Sequence, residues 1–246
     1  MITPPSIRIL GVAVHAVTTE ETLAWIEGAI AARAPQQICT ANPEFLMRAR
    51  RDREFFDLLN RADLVLPDGI GLLFAARWLG GRLPERVAGS DLIYRISERA
   101  AHHGWRLYLL GAEEGVAAQT ADLLRARYPG LTIAGTFGGS PKAEDEAQIV
   151  SKVTAARPDV LLVAYGAPAQ DKWIAHNRGR LGVPVSLGVG GALDFVTGTA
   201  RRAPIWIQRA GLEWLHRLLR QPWRARRIFT AVVAFPWAVL RYGRGD

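Results

Sequence analysis

The amino-acid sequence predicts an α/β protein with a doubly wound, mostly parallel sheet and a helical appendage at its C-terminus. Two observations predict the sheet. Short apolar runs alternate with helical patterns along most of the 246 residues, and most runs lack the polar alternation of a half-exposed strand, which is typical of strands covered on both faces. From residue 105 to about residue 190 strands and helices alternate, so right-handed crossovers should leave consecutive strands parallel.

Local signals predict the individual elements. Apolar runs predict strands at residues 7–14, 36–41, 62–67, 105–111, 131–137, 159–166 and 183–190. Helical patterns lie between them, at residues 18–33, 43–60, 70–79, 90–103 and 115–130. The first helix begins at a capping residue, Thr18 or Thr19, and the last of these ends at Pro129 and Gly130.

The composition changes near residue 200. Residues 201–246 contain ten arginines but only Glu213 and Asp246 as acids, which accounts for the whole formal net charge of +8. Four of the eight tryptophans also lie there. We therefore expect two units: a neutral body, residues 1–199, and a basic, aromatic-rich helical appendage, residues 200–246.

The appendage has a composition that suits a membrane surface. Arginine interleaved with aromatic and aliphatic residues favours an anionic surface with an apolar layer beneath it, such as phospholipid headgroups. Solvated helices with a buried apolar face explain it equally well. The longest apolar run, residues 228–240, would reach ~20 Å as a helix, short of the ~30 Å hydrocarbon core, so it should lie in the interface without spanning it.

Two features predict a cytoplasmic location. Cys39 is the single cysteine, so no internal disulfide can form. The N-terminus MITPPSIRIL lacks the basic-then-apolar layout of a secretory signal. Together with the appendage, they predict a peripheral protein on the cytoplasmic face of the membrane.

Three polar segments follow predicted strands. CTANPEF places Thr40 and Asn42 after one strand. LPDGIG places Asp68 after the next, and AYGAPAQDKW places Gln170 in the first turn of a later helix. Ligands of doubly wound sheets bind at the carboxyl ends of the strands, so we expect these side chains at one rim. Pro-Asp-Gly is also a common turn, but beside hydroxyl and amide groups Asp68 is equipped to accept a proton from a bound hydroxyl.

Other motifs carry weaker signals. The glycine-rich segments at residues 109–117 and 188–198 could let the backbone approach a phosphate or nucleoside, although tight turns explain them equally well. The acidic cluster at residues 144–146 opens a helix and suits its dipole, so we expect no metal and no cofactor. Cationic side chains would then have to neutralise the negative charge of a leaving group. Four appendage arginines recur at steps of three or four residues and suit a diphosphate, namely Arg217, Arg220, Arg224 and Arg227.

Six segments together resemble a known family. They are CTANPEF, ADLVLPDGIG, GRLPERVAGSDL, GAPAQD, LGVGGALDFVTGTARRAPIW and GLEWLHRLLRQPWRARR. Their order and spacing over roughly residues 7–230 are similar to those of the bacterial WecG/TagA/CpsF glycosyltransferases, and a match this long is specific where each motif alone is weak. The resemblance implies a Rossmann-like catalytic body, and an appendage that closes over the site and seats the enzyme on the membrane.

The resemblance also implies an activity. It is the transfer of a sugar from a UDP-sugar to a polyprenyl-diphosphate-linked saccharide in cell-surface polysaccharide synthesis, with inversion at the anomeric carbon and no required metal. Matching positions make Asp68 the base, with Thr40 and Gln170 as its catalytic neighbours. The arginines expected at the departing diphosphate are Arg217, Arg224 and Arg227. Further substrate-binding candidates are Asn42, Arg86, Gly111, Gly166, Pro168 and Gly190.

One segment departs from the family's pattern. Where the family usually has Pro-Lys-Gln-Glu, this chain has Pro168, Ala169, Gln170 and Asp171. A lysine is lost and the acid is shortened. Lys172 should lie on a different helix face, so donor or acceptor preference can differ.

The expected partners follow from the same resemblance. They are a UDP-sugar donor, a polyprenyl-diphosphate-linked saccharide acceptor and the anionic inner-membrane surface, with no nucleic acid and with a homo-oligomer left open. The donor sugar is N-acetylmannosamine, its uronic acid, glucose or glucuronic acid. Two alternatives stay open: a nucleic-acid-binding protein that uses the basic tail, and a non-catalytic, nucleotide-sensing membrane adaptor.

Overall fold

The computed structural model describes residues 3–200 and 222–245, together with residues 204, 207, 214, 215 and 218. The strands in this part of the chain are β1 (Ser6–Ile9), β2 (Val12–His15), β3 (Gln36–Ala41), β4 (Leu64–Pro67), β5 (Arg106–Gly111), β6 (Thr132–Phe137), β7 (Val160–Ala164) and β8 (Val185–Gly188). The last six form one sheet in the order β4-β3-β8-β7-β5-β6, and every neighbouring pair is parallel. The predicted α/β class with a parallel sheet is therefore confirmed.

The apolar run at residues 7–14 is a hairpin and not the single strand that was predicted. β1 and β2 pair antiparallel outside the main sheet, with Ile9 opposite Val12. Between them Leu10 and Gly11 have φ values of 50° and 80°. Two consecutive left-handed residues form the tight turn of such a hairpin, and the apolar residues on both sides of the turn conceal it in the sequence.

The described helices cover both sides of the sheet. They are α1 (Thr19–Ala32), α2 (Pro43–Ala49), α3 (Arg53–Arg61), α4 (Ile70–Trp78), α5 (Gly89–His103), α6 (Val116–Arg127), α7 (Ala143–Ala156), α8 (Ala169–Leu181), α9 (Ala192–Thr197), α10 (Ala225–Phe229) and α11 (Phe235–Tyr242). A π-helical segment, Thr230–Ala234, joins the last two. Thr18 caps α1 through a reciprocal capping box with Glu21. The helix predicted at residues 43–60 is divided in two, because Asp52 caps α3 by accepting a hydrogen bond from the N–H of Phe55.

Both faces of the sheet are buried. In β3, Ile38 packs in one core cluster with residues of α1, α5, α6 and α9. The next residue, Cys39, lies in a second cluster with residues of α2, α3 and α4. In β5, Leu109 and Leu110 alternate in the same way, and Leu110 packs with residues of α7 and α8. Burial on two faces is the reason that these strands are continuously apolar.

The described part of the C-terminal segment, residues 222–245, packs against the body. Phe235 is 1% exposed and lies in the core cluster that contains β1, β2, α2 and α4. Burying such a side chain stabilises the packed state by about 2 kcal/mol. Beyond α11, the backbone N–H of Leu10 donates to the carbonyl of Gly243 at 3.2 Å. The division into two domains stays a prediction, and none of the helices in the described ranges combines the length and hydropathy needed to cross a bilayer.

Candidate active site

A large cleft opens at the point where the strand connections diverge. From β3 the chain passes to β4 on one side, whereas the other neighbour of β3 is β8, the last strand. Such a switch point at the carboxyl ends of the strands is where open α/β sheets bind ligands. The cleft has a volume of about 1260 Å³, and Thr40, Asp68 and Gln170 all line it. These three residues therefore lie at one rim, as the sequence predicts.

Asp68 is partly exposed and directly follows β4. Its backbone N–H donates to the carbonyl of Ala41 at 2.7 Å, which fixes this corner to the end of β3. Its Oδ2 accepts a hydrogen bond from the N–H of Gly89, the first residue of α5, at 3.4 Å. This contact orients the Asp68 side chain towards the start of α5.

Thr40 is buried in β3 and holds two strand ends together. Its hydroxyl donates to the carbonyl of Gly188, the last residue of β8, at 3.2 Å. Gly89 lies beside it, since a β-carbon at Gly89 would stand 3.4 Å from Thr40 Cγ2 and 3.7 Å from Val189 Cα. Gly89 was not among the predicted site residues, although it brings the start of α5 to both Thr40 and Asp68.

Gln170 connects the loops that follow β7 and β8. Its side chain is buried, and its Oε1 accepts hydrogen bonds from the N–H groups of Gly166 at 3.1 Å and Gly190 at 3.0 Å. Both glycines, which were predicted as binding positions, line the cleft. A β-carbon at Gly188 would overlap the Gln170 amide. Gln170 therefore fixes the shape of this wall of the cleft.

Asn42 and Arg86 also line the cleft. Asn42 caps α2, because its Oδ1 accepts a hydrogen bond from the N–H of Phe45 at 3.1 Å. Arg86 forms an ion pair with Asp91 in the first turn of α5, with 3.4 Å between the charged atoms. Both side chains thus have structural partners at the position where a ligand would contact them.

Two further carboxylates line the cleft, those of Glu44 and Asp194, and neither is among the predicted site residues. Asp194 lies in α9, and its pKa is raised by burial and, to a smaller extent, by the nearby carboxylate of Glu113. The sequence held a usable signal, because Asp194 follows β8 after a glycine-rich turn much as Asp68 follows β4. Asp68 and Asp194 are therefore both candidates for a catalytic base in this cleft.

Of the three predicted diphosphate arginines, Arg227 can be located with its side chain. It lines the cleft, and its Nε lies 2.7 Å from Oε2 of Glu44 in α2. Arg217 lies outside the described residues, as does the side chain of Arg224. Arg227 is thus held at the cleft by an acidic partner.

Two predicted binding residues do not line the cleft. Gly111 ends β5, and its φ is 99°. A β-carbon there would lie 2.9 Å from the carbonyl carbon of Ala164, so close packing against β7 explains this glycine. Pro168 immediately precedes α8, and it follows a cis peptide bond.

The shortened acid of the family's motif, Asp171, lies in the interior. Asp171 is fully buried, and among the described residues neither of its carboxyl oxygens has a hydrogen-bond partner. Burial raises the pKa of Asp171 to about 7. Burial, with a contribution from Asp171, also raises the pKa of the Cys39 thiol. Lys172 contacts Asp52 on the α3 side at 3.0 Å and does not line the cleft.

No group of three or more His, Cys, Asp or Glu side chains is placed to hold a metal ion within the described ranges. The acidic residues at 144–146 lie in the first turn of α7, as predicted. Glu146 accepts hydrogen bonds from Asn177 and Arg180 in α8, and these two contacts are the main reason that its pKa is lowered. This carboxylate therefore connects two helices.

Together, the parallel sheet and the cleft at its switch point have the arrangement in which α/β proteins bind ligands at the carboxyl ends of the strands. The model of the "Glycosyl transferase WecG/TagA/CpsF family" matches residues 7–246. The chain belongs to this family and is a glycosyltransferase. The resemblance drawn from its motifs is thereby confirmed.

Three relatives carry the same name, N-acetylglucosaminyldiphosphoundecaprenol N-acetyl-beta-D-mannosaminyltransferase. The one from Bacillus subtilis (strain 168) is 36% identical over 78% of this chain and 75% of its own. The relative from Bacillus spizizenii is 35% identical over 85% of this chain and 80% of its own. The relative from Staphylococcus aureus (strain MRSA252) is 34% identical over 74% of this chain and 71% of its own. These names give no support to a uronic acid, glucose or glucuronic acid donor, to a nucleic-acid-binding protein or to a non-catalytic adaptor.

Proposed function

We propose that this glycosyltransferase moves N-acetylmannosamine from UDP-N-acetylmannosamine to the N-acetylglucosamine of a polyprenyl-diphosphate-linked acceptor, as a step in cell-surface polysaccharide synthesis. The names of the three relatives support the sugar and the acceptor. The observation that carries the proposal is the position of Asp68, a partly exposed carboxylate in the switch-point cleft that is fixed by its own backbone to the end of β3.

In this proposal Asp68 is the base. Its carboxylate accepts the proton of the acceptor hydroxyl while the hydroxyl oxygen forms a bond to C1 of the donor sugar. The bond between C1 and the UDP oxygen breaks, and its electron pair leaves with UDP. One displacement inverts C1, so an α-linked nucleotide sugar gives a β-linked product, in agreement with the β-configuration in the relatives' names.

The leaving diphosphate requires positive charge close to the cleft. Arg227 is one such cation, because a guanidinium binds phosphate oxygens through two parallel hydrogen bonds. Arg217 and Arg224 are further candidates on the strength of the family resemblance. Thr40 and Gln170 have a positioning role. Thr40 connects two strand ends and Gln170 connects two loops at the base of the cleft. A rigid base aligns the donor with the attacking oxygen.

We also propose that the enzyme works at the cytoplasmic face of the membrane that contains its acceptor. Large apolar side chains at the C-terminus are exposed, among them Trp223, Phe229 and Trp237. Arg226 and Arg241 are exposed on the same segment. Aromatic and arginine side chains together suit the headgroup region of an anionic bilayer.

The experiment that tests the function measures UDP release by the whole chain. Donors are UDP-N-acetylmannosamine, its uronic acid form, UDP-glucose and UDP-glucuronate, each with and without N-acetylglucosamine linked to a polyprenyl diphosphate. We expect acceptor-dependent release with the first donor and a β-linked product by NMR. Binding of UDP without release from any donor in the presence of acceptor would contradict the proposal and favour a non-catalytic nucleotide-binding role.

A further inference from the structure

Helix α4 leads away from Asp68 with large apolar side chains on its outer face. The helix begins two residues after Asp68. Ile70, Phe74 and Trp78 recur at steps of four residues, which places them on one side of the helix. Phe74 is 65% exposed and Trp78 is 69% exposed, yet all three residues line the cleft.

The opposite side of the same helix is also apolar. Leu72, Ala75 and Ala76 are buried in the core of the body. A helix with two apolar sides is expected to be covered on both of them. The outer face of α4 therefore lacks a cover among the described residues, and an apolar ligand at the cleft would supply one.

The C-terminal helix forms a second apolar wall that runs in the same direction. A β-carbon at Gly71 would lie 3.8 Å from the Phe235 ring, and one at Gly243 would lie 3.8 Å from Leu79. The start of α4 therefore lies near the start of α11, and the two ends lie together. The residues of this wall that line the cleft include Val232, Pro236 and Leu240.

The two walls share a polar end and an apolar end. At the polar end, Asp68 precedes α4 and Arg227 precedes the C-terminal apolar residues, and both line the cleft. From Ile70 to Trp78 the apolar wall extends about 12 Å at the rise of an α-helix. A ligand that fits has a charged head group and a long apolar chain attached to it. A free nucleotide sugar has no such chain.

We propose that the groove between Ile70, Phe74 and Trp78 on one side and Val232, Pro236 and Leu240 on the other binds the first isoprene units of the acceptor's lipid chain. This subsite rests on the proposed function, because the acceptor class comes from it. A polyprenyl chain is joined to its sugar through the diphosphate, so a sugar held at Asp68 directs the chain into this groove. The protein thereby contacts the lipid directly, in addition to any contact with the bilayer.

Two soluble acceptors test the subsite without a membrane. Both carry N-acetylglucosamine diphosphate, one linked to farnesol and the other to methanol, and kcat/KM is measured for each with wild type, Phe74→Ser and Trp78→Ser. Both substituted residues are exposed, so the fold should persist. Leu123→Ser is the matched control, because Leu123 is also exposed and lies on α6 outside the cleft.

We expect wild type to prefer the farnesyl acceptor at least about tenfold, since each buried CH₂ contributes about 0.8 kcal/mol. Phe74→Ser and Trp78→Ser should each reduce that preference several-fold, with the methyl acceptor and Leu123→Ser unaffected. An unchanged preference in both groove variants would overturn the subsite. So would a loss seen only with acceptor embedded in vesicles and accompanied by weaker vesicle binding, because the face would then contact the bilayer alone.

Calorimetric binding of the farnesyl acceptor separates this inference from the proposed function. If no donor supports turnover but the farnesyl acceptor binds wild type more tightly than either groove variant, the subsite stands and the reaction fails. If all variants bind it equally, the subsite fails whatever the turnover.

Discussion

Nε of Arg227 lies 2.7 Å from Oε2 of Glu44, and both residues line the cleft. The pair joins α10 to α2. The arginine side chain is 62% exposed and that of Glu44 is 32% exposed, so the pair contributes at most about 1 kcal/mol. A diphosphate carries more charge than one carboxylate and accepts a bidentate contact. It can therefore displace Glu44 at little cost.

Glu44→Gln should release Arg227 for the donor. We expect a several-fold lower KM for the UDP-sugar, whereas Arg227→Gln should raise it roughly tenfold or more, because a charge-assisted hydrogen bond is worth about 1.5–3 kcal/mol. Steady-state kinetics with the donor varied would measure both. If Glu44→Gln instead raises the KM as much as Arg227→Gln does, the intact ion pair is needed for donor binding.

Asp68→Asn should abolish turnover without weakening the binding of UDP. An amide of the same size cannot accept the acceptor's proton, and the loss of a general base lowers kcat by about 10²–10⁴. Asp194→Asn is the matched control, because Asp194 is a further aspartate that lines the cleft. If Asp194→Asn loses kcat and Asp68→Asn retains it, the base has been assigned to the wrong carboxylate.

Gly188→Ala should reproduce the effect of Gln170→Ala. The added β-carbon would occupy the space of the Gln170 amide and so break its hydrogen bonds to Gly166 and Gly190. Leaving such groups unpaired costs about 1–3 kcal/mol of stability. We expect both variants to lose kcat/KM with urea midpoints lowered to a similar degree. Full activity in Gly188→Ala with an intact fold would exclude a positioning role for Gln170.

Asp171→Asn should change how stability depends on pH. Burial raises the pKa of Asp171 from 3.8 to about 7, so between these values the folded protein retains a proton that the unfolded chain releases. The wild type therefore loses stability as the pH rises through this window, by an amount on the order of a few kcal/mol. Asparagine does not ionise, so between about pH 4 and pH 7 the unfolding free energy of the variant should fall less than that of wild type. Parallel pH profiles of the two unfolding free energies would contradict this.

Local sequence patterns predict most of the strands and helices, but they fail at specific positions. The strand at residues 36–41 was predicted with the bounds that β3 has, because its signal is an apolar run that needs no distant partner. The hairpin at Leu10 and Gly11 was missed, because a turn inside an apolar run leaves the periodicity almost unchanged. Asp194 was missed although it follows β8 after a glycine-rich turn, because its position in the cleft depends on residues distant in sequence.

The amino-acid sequence alone predicts the α/β class, the family, and the carboxylate, hydroxyl and amide that meet at one rim, because side chains that follow parallel strands lie at the same edge of a sheet. The order of the strands in the sheet and the partner of each polar group depend on packing in three dimensions. Gln170 accepts a hydrogen bond from Gly190, and Arg227 pairs with Glu44. Within the described residues, the outer face of α4 has no cover beside α11. Such contacts depend on how helices pack in three dimensions, and no local pattern of residues encodes the distance between them.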